Sequence, residues 1–250
     1  MKRKCADRPV SAVGRCPKRK VSARAAGVKV SAHAAGVKCE DGTAPLKLAF
    51  GGILRDWVKN KKRTKRGFSY AGFRTRALRV ANHLGISLSN LMTVMYYETF
   101  QSFDPAEDRS PRAIGLIQWT QIAVDDMNKN PDLNPDFDRN LTLDRLRRMS
   151  PRDQLDYVEE YLRLIKKRKK NDLKKIENLY AAVFRPEAVG DPNYRIPGEN
   201  QAEELRVKGT NYITLDSIRS VMLRYKRIGL MPGNFHLYCK KGKIVGGRAG

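Results

Sequence analysis

Residues 89–119 read SNLMTVMYYETFQSFDPAEDRSPRAIGLIQW, which predicts a helix, then a polar loop, then a Gly-Leu-Ile-Gln turn. Leu91 and Met95 recur at helical spacing, so one side of this helix is expected to be buried. Either Ser87 or Ser89 could cap its N-terminus. The stretch therefore predicts a helix that packs one face into a larger helical domain.

Glu98 lies at the C-terminal end of this apolar helix, directly after Tyr97. Burial and the negative end of the helix dipole both disfavour an ionised carboxylate, so both should raise its pKa. A raised pKa is what a general acid needs near neutral pH. Glu98 is therefore the candidate catalytic residue. The alternative is a solvated glutamate at a frayed helix end, which is the common situation for this residue type.

Gly115 and Gln118 stand in the turn that follows the loop. A glycine allows close approach where a Cβ atom would clash. The glutamine side chain offers both a donor and an acceptor to a sugar hydroxyl or amide. Both residues are therefore candidates for substrate binding.

The Glu-Thr helix end at 98–99 and Ala-Ile-Gly-Leu-Ile-Gln at 113–118 together resemble the lysozyme-like superfamily. Within it, the sequence is similar to the soluble lytic transglycosylase type carried by bacteriophage virion and tail proteins. That family has Glu-Ser or Glu-Thr and then Gly-Ala-x-Gly-Leu-Met/Ile-Gln. Downstream, MSPRDQLDYVEEYL at 149–162 and NLYAAVFRPEAVG at 178–190 resemble two further family helices. The resemblance covers roughly residues 70–225.

The resemblance implies a lysozyme-like helical fold that cleaves the β-1,4 bond between MurNAc and GlcNAc in peptidoglycan glycan strands. It implies one catalytic glutamate, Glu98, no cofactor and a 1,6-anhydromuramyl product. The sequence departs from the family at Arg112, where glycine is usual, and at Val-Phe 183–184, where bacterial enzymes have Tyr-Asn. The tyrosine that steadies the catalytic glutamate is therefore expected at Tyr180 or Tyr194.

A hydrolase of lysozyme type would need a second carboxylate on the opposite side of the sugar. Asp104, Glu107 and Asp108 are candidates because all three lie in the loop after the proposed acid. No local pattern distinguishes one of them from the others.

Four aromatic residues are candidates to line a sugar cleft, because their rings offer flat apolar faces with polar edges. They are Tyr97, Trp119, Tyr180 and Tyr194. For each of them, a place in the hydrophobic core is the alternative.

The net charge of +24 over 250 residues predicts attraction to polyanions such as nucleic acid, anionic lipid or the bacterial envelope. No apolar run approaches the about 18 residues of a membrane span. The basic N-terminus is followed by no apolar segment, so a secretory signal peptide is not expected. We expect a protein of the phage virion, in the tail or inside the particle, that acts in the host periplasm on the cell wall.

Composition divides the chain into four parts. Residues 1–48 form a basic low-complexity arm of net charge about +9, in which VSARAAGVK at 21–29 is nearly repeated at 30–38. Disorder is expected there, with DNA or phage structural proteins as additional partners. The other three parts are a basic amphipathic linker at 49–69, the lysozyme-like domain at 70–228 and a basic C-terminal tail at 229–250.

Periodicity predicts a mostly α fold without convincing strands. Helices are expected at 46–66, 73–84, 89–98, 120–127, 141–149, 150–167, 172–184 and 213–227. Gly85 is expected to end the second of them, Ser150 to cap the sixth, and Thr214 or Asp216 to cap the last.

The cysteines and histidines follow no metal-ligand spacing and form no visible catalytic triad, so no metal site is expected. They are Cys5, Cys16, Cys39, Cys239, His33, His83 and His236. Two other functions remain as alternatives. One is a non-catalytic virion structural protein on a lysozyme-like fold, and the other is a DNA-binding protein, which only the charge supports.

Binding to purified cell walls and to duplex DNA should weaken steeply with salt, because a basic protein releases counterions from a polyanion. Raising the salt from about 50 to about 200 mM should lower DNA affinity at least about tenfold. Co-sedimentation with walls and filter binding of DNA measure this effect. Retention that does not change over this range would contradict the electrostatic explanation.

Overall fold

The computed structural model describes residues 38–39, 46–59, 69–100, 102–110, 112–170, 173–198, 200–238 and 244–245. These residues are mostly helical, as the sequence predicts. The helices are α1 (Gly51–Lys59), α2 (Tyr70–Leu84), α3 (Leu88–Glu98), α4 (Gln121–Lys129), α5 (Leu143–Arg148), α6 (Pro151–Lys169), α7 (Ile176–Phe184) and α8 (Leu215–Gly229).

Short antiparallel strands connect the helices. They are β1 (Lys38–Cys39), β2 (Leu46–Leu48), β3 (Asp108–Ser110), β4 (Ala113–Ile114), β5 (Trp119–Thr120), β6 (Ile196–Pro197), β7 (Tyr212–Ile213), β8 (His236–Tyr238) and β9 (Ile244–Val245). The pairs are β1 with β9, β2 with β8 and β6 with β7, while β3, β4 and β5 form one three-stranded sheet. Strands this short carry too little alternation to be seen in the sequence.

Local capping groups set several helix ends where they were predicted. Gly85 has φ +68° and ends α2 in the left-handed region that favours glycine. Ser150 caps α6, because its Oγ accepts a hydrogen bond from the Asp153 N–H at 3.2 Å. Thr214 caps α8 in the same way through the Ser217 N–H at 3.2 Å.

Two predicted helices begin later than expected. The helix predicted within 46–66 begins at Gly51, because Leu46–Leu48 pair with His236–Tyr238 as strands instead, and residues 60–66 lie outside the described residues. The helix at 172–184 begins only at Ile176. In the first case a partner from the far end of the chain overrides the local helical pattern.

Helix α3 is the centre of the hydrophobic core. Nearly all of its residues are buried, from Leu88 to Glu98, so the expectation of one buried face was too narrow. Helices α2, α7 and α8 and strand β2 all contact it. Because neighbouring elements cover α3 along its whole length, its last residue, Glu98, is buried as well.

Phe50 joins the N-terminal segment to the C-terminal helix. Its ring is fully buried and stacks on Tyr96 with ring centroids 3.7 Å apart. Its N–H donates to the Gly229 carbonyl at 2.9 Å. A Cβ atom on Gly229 would lie 2.5 Å from the Phe50 ring, so only glycine fits there.

The packed body is therefore larger than the domain predicted at 70–228. It includes residues 48–54, which the sequence assigned to the arm and the linker, and strand β8, which it assigned to the tail. Most of the predicted arm lies outside the described residues, apart from β1, which pairs with β9, and β2, which pairs with β8. No helix in the described ranges is long and apolar enough to cross a membrane.

Replacing Phe50 by Ala should lower the free energy of unfolding by about 3–5 kcal/mol, because it removes a fully buried ring. Phe100→Ala is the matched control, since Phe100 is 53% exposed and also has a positive φ of +46°. The control should change stability by less than about 1 kcal/mol. Urea unfolding followed by circular dichroism measures both. Equal losses of stability in the two variants would show that the Phe50 ring does not hold residues 48–54 in the core.

Candidate active site

Glu98 is buried at the last position of α3, with 5% of its surface exposed. The next residue turns the chain away: the Thr99 Oγ1 donates to the Met95 carbonyl at 2.7 Å and accepts from the Phe103 N–H at 2.9 Å. The alternative of a solvated glutamate at a frayed helix end is therefore wrong.

Glu98 borders an open cleft of about 560 Å³. We call it the Glu98 cleft; its walls come from the ends of α3 and α7, the β4–β5 hairpin, α4 and α6. A cleft of this size holds a ligand of a few sugar rings or a drug-sized molecule. The sequence-predicted residues that border it are Tyr97, Glu98, Gln118, Trp119 and Tyr180.

Gly115 lies beside this cleft and is required by packing. It has φ +85°, and an added Cβ atom would lie 2.6 Å from the Gln154 Oε1. The sequence predicted a close contact at this glycine, and the structure confirms one. The group in contact is the Gln154 side chain. Gly115 itself is not among the residues that line the cleft in the described structure.

Gln154 is a fully buried amide that joins three backbone segments. Its Oε1 accepts from the Leu116 N–H at 3.0 Å, and its Nε2 donates to the carbonyls of Pro105 at 2.7 Å and Leu146 at 2.8 Å. All of its donor capacity is used. Sequence reasoning missed this role, although Gln154 stands in the family-like MSPRDQL segment.

The Gln118 side chain forms hydrogen bonds within the turn that contains it. It has a left-handed φ of +53°, and its Nε2 donates to the carbonyls of Glu107 at 3.1 Å and Gly115 at 3.0 Å. Both amide protons are therefore used inside the protein. The expectation that Gln118 donates to a sugar does not agree with this geometry, although the side chain borders the cleft.

The aromatic residues combine core packing with a place at the cleft. Tyr97 packs edge-on against Tyr180, with ring centroids 5.3 Å apart, and both side chains are almost completely buried. Trp119 packs edge-on against Tyr161 at 5.4 Å. Tyr194 is half-buried and is not part of the described lining, so of these two tyrosines only Tyr180 borders the same cleft as Glu98 in the described structure.

Tyr161 borders the cleft and was not predicted from sequence. Burial raises the pKa of its hydroxyl far above the ordinary value, so the group stays neutral. It donates to the Ala182 carbonyl at 3.1 Å, which ties α6 to α7.

The predicted second carboxylates are engaged in the loop. The Asp104 Oδ1 accepts from the Ala106 N–H at 2.8 Å, and the Glu107 Oε2 accepts from the Ser102 hydroxyl at 2.8 Å. Neither borders the cleft in the described structure. Asp108 contributes backbone to β3, and its side chain lies outside the described residues.

Two other carboxylates border the cleft instead, Asp126 on α4 and Glu187 after α7. The Arg168 Nη2 donates to both Asp126 oxygens, at 3.0 and 2.9 Å. Arg112, the departure from the family pattern, is exposed at the cleft edge. Asp126 and Glu187 are distant in sequence from Glu98, so no local pattern could have identified them.

Among the described residues, no group of His, Cys, Asp and Glu side chains could hold a metal ion. No protein-family model matches the chain. No curated protein matches it, and no solved structure matches it.

Replacing Gln154 by Met should lower the free energy of unfolding by about 2–4 kcal/mol, because three buried backbone groups each lose a hydrogen bond. Gln121→Met is the matched control, since the exposed Gln121 amide bonds only the Asp125 side chain, at 2.7 Å. The control should change stability by less than about 0.5 kcal/mol. Urea unfolding of both variants tests this. A stable Gln154→Met protein would refute the role given to the buried amide.

Proposed function

We propose that this chain is a peptidoglycan-cleaving lytic transglycosylase of a bacteriophage with a lysozyme-like fold. It cuts the MurNAc-GlcNAc β-1,4 bond, and Glu98 is its general acid. The observation that carries the proposal is the burial of Glu98 at the end of α3, at the edge of a cleft of about 560 Å³. The motif resemblance over roughly residues 70–225 adds the reaction type.

The position of Glu98 suits a general acid, because its carboxyl lies at the wall of the cleft and has little contact with bulk water. A protonated carboxyl can then donate to the oxygen between two sugars. The half-buried ring of Phe184 and the exposed side chain of Ile122 give the cleft apolar surface suited to sugar faces, whereas the rings of Trp119 and Tyr180 are almost completely buried behind it.

In the proposed reaction, Glu98 donates its proton to the glycosidic oxygen as the bond from the MurNAc C1 breaks. The departing GlcNAc takes that proton as a hydroxyl group. The MurNAc 6-hydroxyl then bonds to C1, and its proton returns to the Glu98 carboxylate. The product is a 1,6-anhydromuramyl end, and Glu98 is ready for another cycle without a second carboxylate.

Gly115 and Gln118 no longer support the function independently, because the packing around Gln154 explains one and the turn hydrogen bonds explain the other. Their part in the proposal is to shape the turn of the β4–β5 hairpin, which forms one wall of the cleft. The activity of Glu98 therefore decides between an enzyme and the alternative, a non-catalytic virion or DNA-binding protein.

A lysozyme-type hydrolase is the second candidate, and one observation favours it. Asp126 and Glu187 border the same cleft as Glu98, so a second carboxylate is present there. Such a group could activate water or stabilise the transition state. Reducing ends among the products would identify the hydrolase, and anhydro ends would identify the transglycosylase.

Glu98→Gln should lower the rate of cleavage of purified peptidoglycan by about 10²- to 10⁴-fold, because the amide cannot donate the proton. The variant should still fold, because the amide keeps the size of the side chain and its capacity for hydrogen bonds. Loss of turbidity and chromatography of the products measure activity, and thermal unfolding measures stability.

Glu203→Gln is the matched control, since Glu203 is exposed and does not border the cleft in the described structure. Its activity should equal that of the wild type. In a transglycosylase, Asp104→Asn and Asp126→Asn should retain much of the activity, whereas in a hydrolase Asp126→Asn would be as damaging as Glu98→Gln. Full activity of a folded Glu98→Gln protein would refute the enzymatic proposal.

A further inference from the structure

A second depression adjoins the Glu98 cleft. It has a volume of about 450 Å³ and lies between the end of α4 and the last turns of α6. We call it the charged depression, and its polar lining consists of Asp126, Lys129, Asn130, Asp132, Lys167 and Arg168. Asp126 and Arg168 line both recesses, and their ion pair stands between them. A branched ligand seated in the cleft can therefore extend into the depression.

The two recesses differ in their apolar surface. The Glu98 cleft presents apolar side chains such as Ile122 and Phe184 beside charged ones such as Arg112 and Glu187. The charged depression presents only Pro131 and Leu164 as apolar residues among its described lining. Sugar rings are neutral and suit the first surface, whereas a surface of charged groups suits an ionic branch.

The charges in the depression leave one cation in excess. Lys167 donates to the Asp132 Oδ1 at 2.6 Å, and this hydrogen bond lowers the pKa of the Asp132 carboxyl. Arg168 is paired with Asp126. Lys129 is exposed, and none of the described residues forms an ion pair with it. The excess charge favours a carboxylate as the ligand group.

The C-terminal end of α4 lies at the charged depression, and its negative dipole does not cancel the excess positive charge. Helix α4 ends at Lys129, and free carbonyls at a helix C-terminus would repel an anion. The Asn130 carbonyl, however, accepts from the Arg139 Nη1 at 2.8 Å. The Asn128 carbonyl, in the last turn of α4, accepts from the same Arg139 Nη1 at 3.4 Å. The Arg139 guanidinium therefore offsets the negative end of the helix.

We propose that the charged depression binds a carboxylate of the peptide branches of peptidoglycan while the glycan strand occupies the Glu98 cleft, with Lys129 as the specificity-determining residue. This rests on the proposed function, since it takes the glycan of the same substrate as the occupant of the cleft. The consequence is a preference for peptide-bearing strands over bare glycan.

The test compares the full-length Lys129→Glu and Lys208→Glu variants on two substrates. One is purified peptidoglycan, and the other is the same material after an amidase has removed its peptides. Lys208 is exposed and lines neither recess, so both variants change the net charge equally. Binding is measured by co-sedimentation and cleavage by product release, after thermal unfolding has shown that both variants fold.

Lys129→Glu should weaken binding to intact peptidoglycan by about three- to tenfold and binding to bare glycan by less than about twofold. Lys208→Glu should affect the two substrates alike and only slightly. Equal losses on both substrates, or equal losses in the two variants, would overturn the proposal. If the wild type cleaves neither substrate, the proposed function fails, whereas the difference in binding still decides the role of Lys129.

Discussion

The buried amide of Gln154 holds together the backbone around the candidate site. It bonds the loop at Pro105, the turn at Leu116 and the end of α5 at Leu146, and all of these groups are away from water. An unpaired backbone group in that place would be unfavourable, so the three segments must meet at this side chain. The glycine at 115 follows from the same constraint, because a Cβ atom would occupy the space of the amide.

A second constraint is the complete burial of α3. A helix that is apolar on all sides needs cover on all sides, and here the segment around Phe50 and helix α8 provide part of it. The segment around Phe50 and helix α8 thus meet at the core, which explains why residues that look like a linker pack into the body. The result is a well-packed end of α3, which holds the Glu98 side chain at the cleft.

The Glu98 cleft is assembled from parts that are far apart in the chain. Its carboxylates, Glu98, Asp126 and Glu187, come from three different segments, and Arg168 from a fourth pairs with one of them. This pairing stands between a recess with a large apolar surface and one whose described lining is mostly charged. If the cleft binds glycan as proposed, the division separates the neutral backbone of the polymer from its ionic branches.

The sequence by itself determined the helical class, the ends of helices such as those at Gly85 and Ser150, and the position of Glu98 at a helix end. These features depend on side chains within a few residues of one another, so the pattern contains the information. The tertiary structure alone decided that Gln118 bonds its own turn, that Gln154 is buried, and that Asp126 rather than Asp104 borders the cleft. These outcomes depend on which distant backbone groups come together, because buried polar groups take the partners that the chain path provides.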